Sequence, residues 1–145
     1  QFVLAPSKLN ERKIKLEWRH KGSDAYFDAY SLSDGTLRFI CLATLLQQPN
    51  PPALILLDEP ELGLHPSAIR LLAEMLESAS LHTQILVATQ SVTLVDHFPV
   101  EQIIVADHDG RASQFRRLRS EDYAAWLDEY SVGELWEKNV LGGNP

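Results

Sequence analysis

Cysteine is almost absent: Cys41 stands alone, which excludes an internal disulfide framework and fits a reducing compartment. It falls in an apolar stretch, where packing is the expected role. No apolar run approaches the roughly 20 residues that cross a bilayer, and no charged-then-apolar leader is present. The chain opens on Gln1 rather than Met, as expected of a fragment. The expected location is therefore cytoplasmic, with no membrane partner. Positive charge is also short. Lys and Arg number 13 against 20 Asp and Glu, and a net charge of −7 excludes a surface that is one large nucleic-acid footprint. A local basic stretch (Lys8, Arg12, Lys13, Lys15, Arg19, Lys21) reads as the solvated face of a strand pair, with a binding patch as the alternative. The five histidines lack metal-ligand spacing. No internal repeat or low-complexity segment occurs. A hydrophobic fraction of 45% and a charged fraction of 23% place residues 1–145 in one ordinary globular domain burying a single core.

Residues 13–18 (Lys-Ile-Lys-Leu-Glu-Trp) alternate polar and apolar, the period of a half-buried strand. A turn at Lys21 to Asp24 and the run Ala25-Tyr26-Phe27 complete a predicted hairpin. Phe39, Leu42, Ala43 and Leu46 share a helical face that Leu37, Ile40, Cys41 and Leu45 widen, so a largely buried helix is expected. Gln48-Pro49-Asn50-Pro51-Pro52 ends it. Ala53 to Leu57 is continuously apolar, the habit of a central parallel strand buried on both faces. Pro66 suits the first turn of a helix with Ile69, Leu72, Ala73 and Leu76 as its buried stripe. Ile85 to Ala88 is a second apolar strand, and strand, helix, strand at this spacing make a βαβ unit. Ile103 to Ala106 and Ser113 to Arg116 flank Asp109-Gly110 as a second hairpin. Ser120 is placed to cap a short helix through Leu127, with Glu121 and Asp122 favourable at its dipole. The tail from Gly133 to Pro145 is expected on the surface.

The densest chemistry is Leu54-Ile55-Leu56-Leu57-Asp58-Glu59-Pro60. An apolar strand ending in two acids sets both at the carboxyl edge of the sheet, where ligands of open α/β folds bind. Two such carboxylates can divide labour: one orients a hydrated Mg²⁺, the other polarises water in line with a γ-phosphate. The bland alternative is a strand ending in a solvated acidic turn. Leu32-Ser33-Asp34-Gly35-Thr36 stands at the first helix's N-terminus, where free N–H groups and the dipole attract anions. Ser33 adds a hydroxyl, and Gly35 permits close backbone approach; alone, this segment equally describes an ordinary helix cap. Ala88-Thr89-Gln90-Ser91 closes the second parallel strand, and the Gln90 amide can donate to a phosphate and accept from water.

In this order the three segments resemble those of ABC-type ATPases, over roughly residues 30 to 110. Leu32 to Thr36 looks like the signature, Leu54 to Glu59 like Walker B, and Thr89-Gln90-Ser91 like the switch segment. Glu61-Leu62-Gly63-Leu64-His65-Pro66 looks like the D-loop of the RecF, SMC and OLD-type branch, and the group it is most similar to is the bacterial "AAA family" ATPases with such heads. Asp34 and Thr36 depart from the transporter signature. Gln90 stands where most relatives carry His and, being unable to titrate, is limited to positioning. No Gly-x-x-x-x-Gly-Lys-Ser/Thr occurs. In the family that Walker A loop lies upstream of the signature. The resemblance thus implies an α/β fold: the C-terminal lobe of a P-loop NTPase head, with a parallel βαβ core, flanking β-hairpins and a missing N-terminal lobe.

The resemblance also implies an ATP hydrolase working as a dimerising switch. Two heads would pair head-to-tail around ATP and Mg²⁺. Ser33, Asp34, Gly35 and Thr36 would face the nucleotide of the opposite subunit, Asp58 would hold Mg²⁺ through water, Glu59 would be the general base, and Gln90 would sense the γ-phosphate. DNA or an effector protein would be the target. Two alternatives stand beside it: a lobe completing another subunit's ATP site in trans without turnover, and a transporter's nucleotide-binding domain, against which the D-loop speaks. Asp107-His108-Asp109-Gly110 resembles the Asp-x-Asp of TOPRIM nucleases, but a hairpin turn explains it more simply. His65 is equally suited to a partner contact and to helix-start packing. Arg116, Arg117 and Arg119 read as solvent-facing positions, with nucleic acid as the alternative.

Overall fold

Alternation from Lys13 to Trp18 is realised in a ten-residue strand, β2 (Asn10–Arg19), which pairs antiparallel with β1 (Phe2–Ser7) and β3 (Tyr26–Asp28). The computed structural model describes residues 2–7, 10–19, 22 and 24–143, with side chains from residue 16 onward. Lys8, Lys21 and the side chains of Arg12, Lys13 and Lys15 lie outside that description. Trp18 opposes Phe27 across the β2–β3 pair, with ring centroids 5.1 Å apart. The Trp18 indole N–H also donates to Ser31 Oγ at 2.9 Å, anchoring the chain just before Leu32.

Helix α1 (Asp34–Leu46) follows. Of its apolar face only Leu42 and Leu46 are buried; Phe39, Ile40 and Leu45 are half-buried and Cys41 is exposed, which corrects the expectation of a largely buried helix and of a packed cysteine. Strand β4 (Leu54–Asp58) pairs in parallel with β5 (Gln84–Ala88), Leu54 opposite Gln84 and Asp58 opposite Ala88. Between them runs α2 (Pro66–Ser80), with Pro66 in its first turn and Ile69, Leu72, Ala73, Leu76 and Ala79 buried. The βαβ unit is therefore as the periodicity predicts.

Leu42 and Leu46 of α1, Ile55 of β4, and Leu72, Leu76 and Ala79 of α2 form one core cluster. Both helices lie on one face of the two-stranded sheet, because alternate strand residues share a face and only Ile55 and its neighbours meet the helices. The opposite face presents Leu54, Leu56 and Leu86, which are 50%, 65% and 54% exposed. The expectation that β4 is buried on both faces is thus corrected: among the described residues only one face is covered.

A second cluster is built from Val95 of α3 (Val92–Val95), Val100, Val105 of β6 (Ile104–His108), Leu118, and Val132, Leu135 and Leu141. Strand β6 pairs antiparallel with β7 (Ser113–Arg117), the expected hairpin. Helix α4 (Ser120–Leu127) begins at the expected place, but Arg119 occupies its cap position without a side-chain bond, and Ser120 is its first helical residue. The tail is only partly on the surface: Glu134, Glu137, Lys138 and Asn139 are exposed, whereas Gly133, Leu135 and Leu141 are buried. Ser131 and Glu134 form a reciprocal capping box that starts α5 (Val132–Glu137), and Leu135 and Leu141 are fully buried. Ile69, Ala73 and Leu94 form a third cluster between α2 and α3.

Candidate functional site

Strand β4 delivers Asp58 as its last residue, exposed at the sheet's carboxyl edge. Glu59 follows, half-buried, and its N–H continues the ladder by donating to the Ala88 carbonyl at 2.8 Å. Its backbone then turns sharply. Glu59 has a φ of 42°, in the left-handed region that a residue with a Cβ enters at a cost. Its carbonyl accepts from the Leu62 N–H at 3.2 Å and from Arg38 Nη1 at 3.4 Å, bonds that help to hold that turn. Gly63, two residues before His65, has a φ of 79°, which suits glycine.

The candidate signature packs against this turn. Ser33 caps α1, its Oγ accepting from the Thr36 N–H at 3.2 Å and lying 2.8 Å from Thr36 Oγ1. Asp34, in the helix's first turn, and Thr36 are exposed. A Cβ on Gly35 would sit 2.2 Å from the Gly63 carbonyl oxygen. Gly35 is therefore required by packing within the chain, a reason that its sequence context did not reveal.

At the end of β5, Ser91 caps α3 by accepting from the Leu94 N–H at 3.2 Å. Thr89 Oγ1 donates to a carboxylate oxygen of Glu61 and accepts from the Ser91 N–H at 3.0 Å. Gln90, between them, is exposed. A shallow cavity of ≈ 320 Å³ is lined by Glu59, Glu61, Leu62, Gly63, Ile69, Gln90 and Ser91. The structure thus brings Glu59 and Gln90 to one cavity, from the ends of neighbouring parallel strands. Asp58 and Ser33 to Thr36 do not line it, although Gly35 meets Gly63, which does. Sequence reasoning placed Glu61 and Thr89 within the D-loop and switch segments but gave their side chains no role, and it gave none to Arg38. The one available signal was an acidic residue, Glu61, inside an otherwise apolar turn.

The weaker candidates resolve into structure. His65 caps α2, Nδ1 accepting from the Ser67 N–H at 3.3 Å. Asp109 closes the β6–β7 turn: the N–H groups of Ala112 and Arg111 and the Gln114 amide hold its carboxyl below the usual range. Asp107 accepts from the Gly143 N–H at 2.8 Å. Arg116 donates to the Leu141 carbonyl at 2.7 Å and to the Tyr123 hydroxyl at 3.0 Å, and Arg117 to the Glu101 carbonyl at 3.0 Å. The Ser120 hydroxyl lowers Glu101 in the same way. No group of three or more potential metal ligands occurs among the described residues.

The pattern of the family AAA_21, described as "AAA domain, putative AbiEii toxin, Type IV TA system", matches residues 2–96. That span takes in Ser33, Asp58, Glu59 and Gln90. The chain belongs to this family. It is an ATPase family, and the chain has the fold of SMC ATPase heads, the P-loop NTPase fold. One similar structure, from work on ATP-driven dimerization and DNA stimulated activation of SMC ATPases, has a TM-score of 0.67 at 19% identity, over 88% of this chain and 79% of that one. An SMC head bound to the C-winged helix domain of ScpA has a TM-score of 0.67 at 17% identity, over 86% and 38%. An SMC head with an extended coiled coil, bound to the C-terminal domain of ScpA derived from Pyrococcus furiosus, has 0.66 at 20%, over 88% and 33%. The chain thus spans only 38% and 33% of the length of the latter two. No curated protein matches it. Within the AAA_21 chain no helix is long and apolar enough to cross a membrane among the described residues.

Proposed function

We propose that this chain supplies the signature, Walker B, D-loop and switch parts of an ATP-hydrolysing head that dimerises head-to-tail around nucleotide. The observation that carries the reading is the meeting of Glu59 and Gln90 in one cavity at the carboxyl ends of adjacent parallel strands. Membership of an ATPase family supports it, and one solved relative in fold is described by ATP-driven dimerization.

The residues fit the groups that such a site would take. Mg²⁺ keeps most of its waters and uses one or two carboxylates, so exposed Asp58 suffices without a protein cage. Bound ATP and Mg²⁺ supply an activated γ-phosphoryl group. Glu59 takes the proton of the attacking water. Gln90 donates and accepts through its amide without titrating, which orients water or a phosphate oxygen. Ser33 and Gly35, with Asp34 and Thr36, would present the N–H groups at the α1 N-terminus to the nucleotide of the opposing subunit. No phosphate-cradling Gly-x-x-x-x-Gly-Lys loop lies within these residues, so the Walker A contribution comes from another segment. That same lack favours a second reading, in which the lobe completes a site in trans without turnover of its own. The target is DNA or an effector protein.

The deciding experiment is Glu59→Gln in a head that contains a Walker A loop. Turnover falls about 10²–10⁴-fold because the amide cannot take a proton. ATP binding persists, and size-exclusion chromatography with ATP shows a trapped dimer. Equal loss of binding and turnover would assign Glu59 to metal holding or structure instead.

A further inference from the structure

Glu61 is the one buried charged side chain among the described residues, 8% exposed. Only one of its carboxylate oxygens is satisfied: Oε1 receives the Thr89 hydroxyl, while Oε2 has no hydrogen-bond partner among the described residues. A buried carboxylate with half its capacity unmet costs stability, and an apolar side chain of similar volume would fill the place more cheaply. Its presence is therefore better explained by what its single bond does.

That bond spans 28 residues and joins the turn after β4 to the segment after β5. The Thr89 hydroxyl donates a hydrogen bond to Glu61 and accepts one from the Ser91 N–H at 3.0 Å, and Ser91 then caps α3. Gln90 is thus held between two anchored neighbours. Glu59, Glu61, Gln90 and Ser91 line the same cavity, so a shift of the Thr89 segment changes the spacing between Glu59 and Gln90. We propose that Glu61 and Thr89 are positioning residues that set Gln90 against Glu59, coupling the Walker B turn to the switch segment. This inference rests on the role given to Gln90 in the proposed function.

The test is steady-state ATP turnover by the Walker A-containing head, in single and double variants. Thr89→Val removes the donor and Glu61→Leu the acceptor. Each lowers kcat about 10- to 100-fold through misplacement of Gln90, with KM for ATP little changed. Thr89→Ser, which keeps the hydroxyl, restores most of the loss. In a Gln90→Ala background neither substitution lowers kcat further, an outcome that a purely structural staple does not give. Equal falls of kcat in the wild-type and Gln90→Ala backgrounds would overturn the coupling, as would normal turnover by Thr89→Val. If Glu61→Leu fails to fold, Thr89→Val and Thr89→Ser carry the same test alone. Full turnover by Gln90→Ala itself would instead remove the switch role of Gln90, and the coupling with it.

Discussion

At Gly35 a single added carbon would sit 2.2 Å from the Gly63 carbonyl oxygen, and backbone cannot yield as a flexible side chain does. Gly35→Ala should therefore destabilise the chain by about 1–3 kcal/mol, read as a lowered midpoint in thermal or urea unfolding. An unchanged midpoint would leave phosphate approach as the only reason for glycine there. Glu59 shows the same principle from the other side. A φ of 42° puts its carboxylate at the head of a tight turn, held by the Ala88 ladder bond and by Arg38 and Leu62 on its carbonyl. The Leu62 bond is local, but the Arg38 and Ala88 bonds join residues 21 or more positions apart, and nothing in the local sequence announces them.

Among the elements, α2 was the most legible, because Ile69, Leu72, Ala73 and Leu76 repeat at the helical period and Pro66 marks the start. The strand β4 and the tail were misjudged in opposite directions. A continuously apolar strand reads as buried on both faces, yet Leu56 is 65% exposed; an acidic tail reads as surface, yet Leu135 is 0% exposed. Stability should follow the structure. Leu135→Ala should cost about 2–5 kcal/mol in the isolated chain, whereas Leu56→Ala stays within roughly 0.5 kcal/mol. Urea titration of the two variants side by side decides between the assignments, and the reverse order would place the tail outside the core.

For the whole molecule the proposal makes two demands. The chain of residues 1–145, lacking a phosphate-cradling loop, should release phosphate at background in a malachite-green assay. Steady turnover would contradict the assignment of Walker A to another segment. The second demand is geometric. Ser33→Arg sets a bulky side chain where the opposing subunit's nucleotide docks, so in a head with Walker A it should leave binding by single heads intact while dimerisation and hydrolysis fail. Mixing it with a Walker A-dead partner concentrates both lesions in one composite site and frees the other. Partial turnover should return, although neither variant is active alone. A mixture that stays inactive, where wild-type heads turn over normally, would reduce Leu32 to Thr36 to a helix cap.

Periodicity and residue chemistry alone determined the βαβ unit, both hairpins, the N-terminus of α1 near Ser33, and the placing of Asp58, Glu59 and Gln90 near strand ends, because each element involved is written in its own local period and its bounding turn residues. Tertiary structure decided what meets across the chain: Gly35 against Gly63, Arg38 on the Glu59 carbonyl, Thr89 on Glu61, and the tail's Leu135 and Leu141 in the core. It also decided which face of β4 is covered, since α1 and α2 both pack on the Ile55 side and leave Leu54 and Leu56 bare. The physical reason is one of range. Helix and strand periods are written into neighbouring residues, whereas burial and hydrogen-bond partners depend on which elements the fold brings side by side.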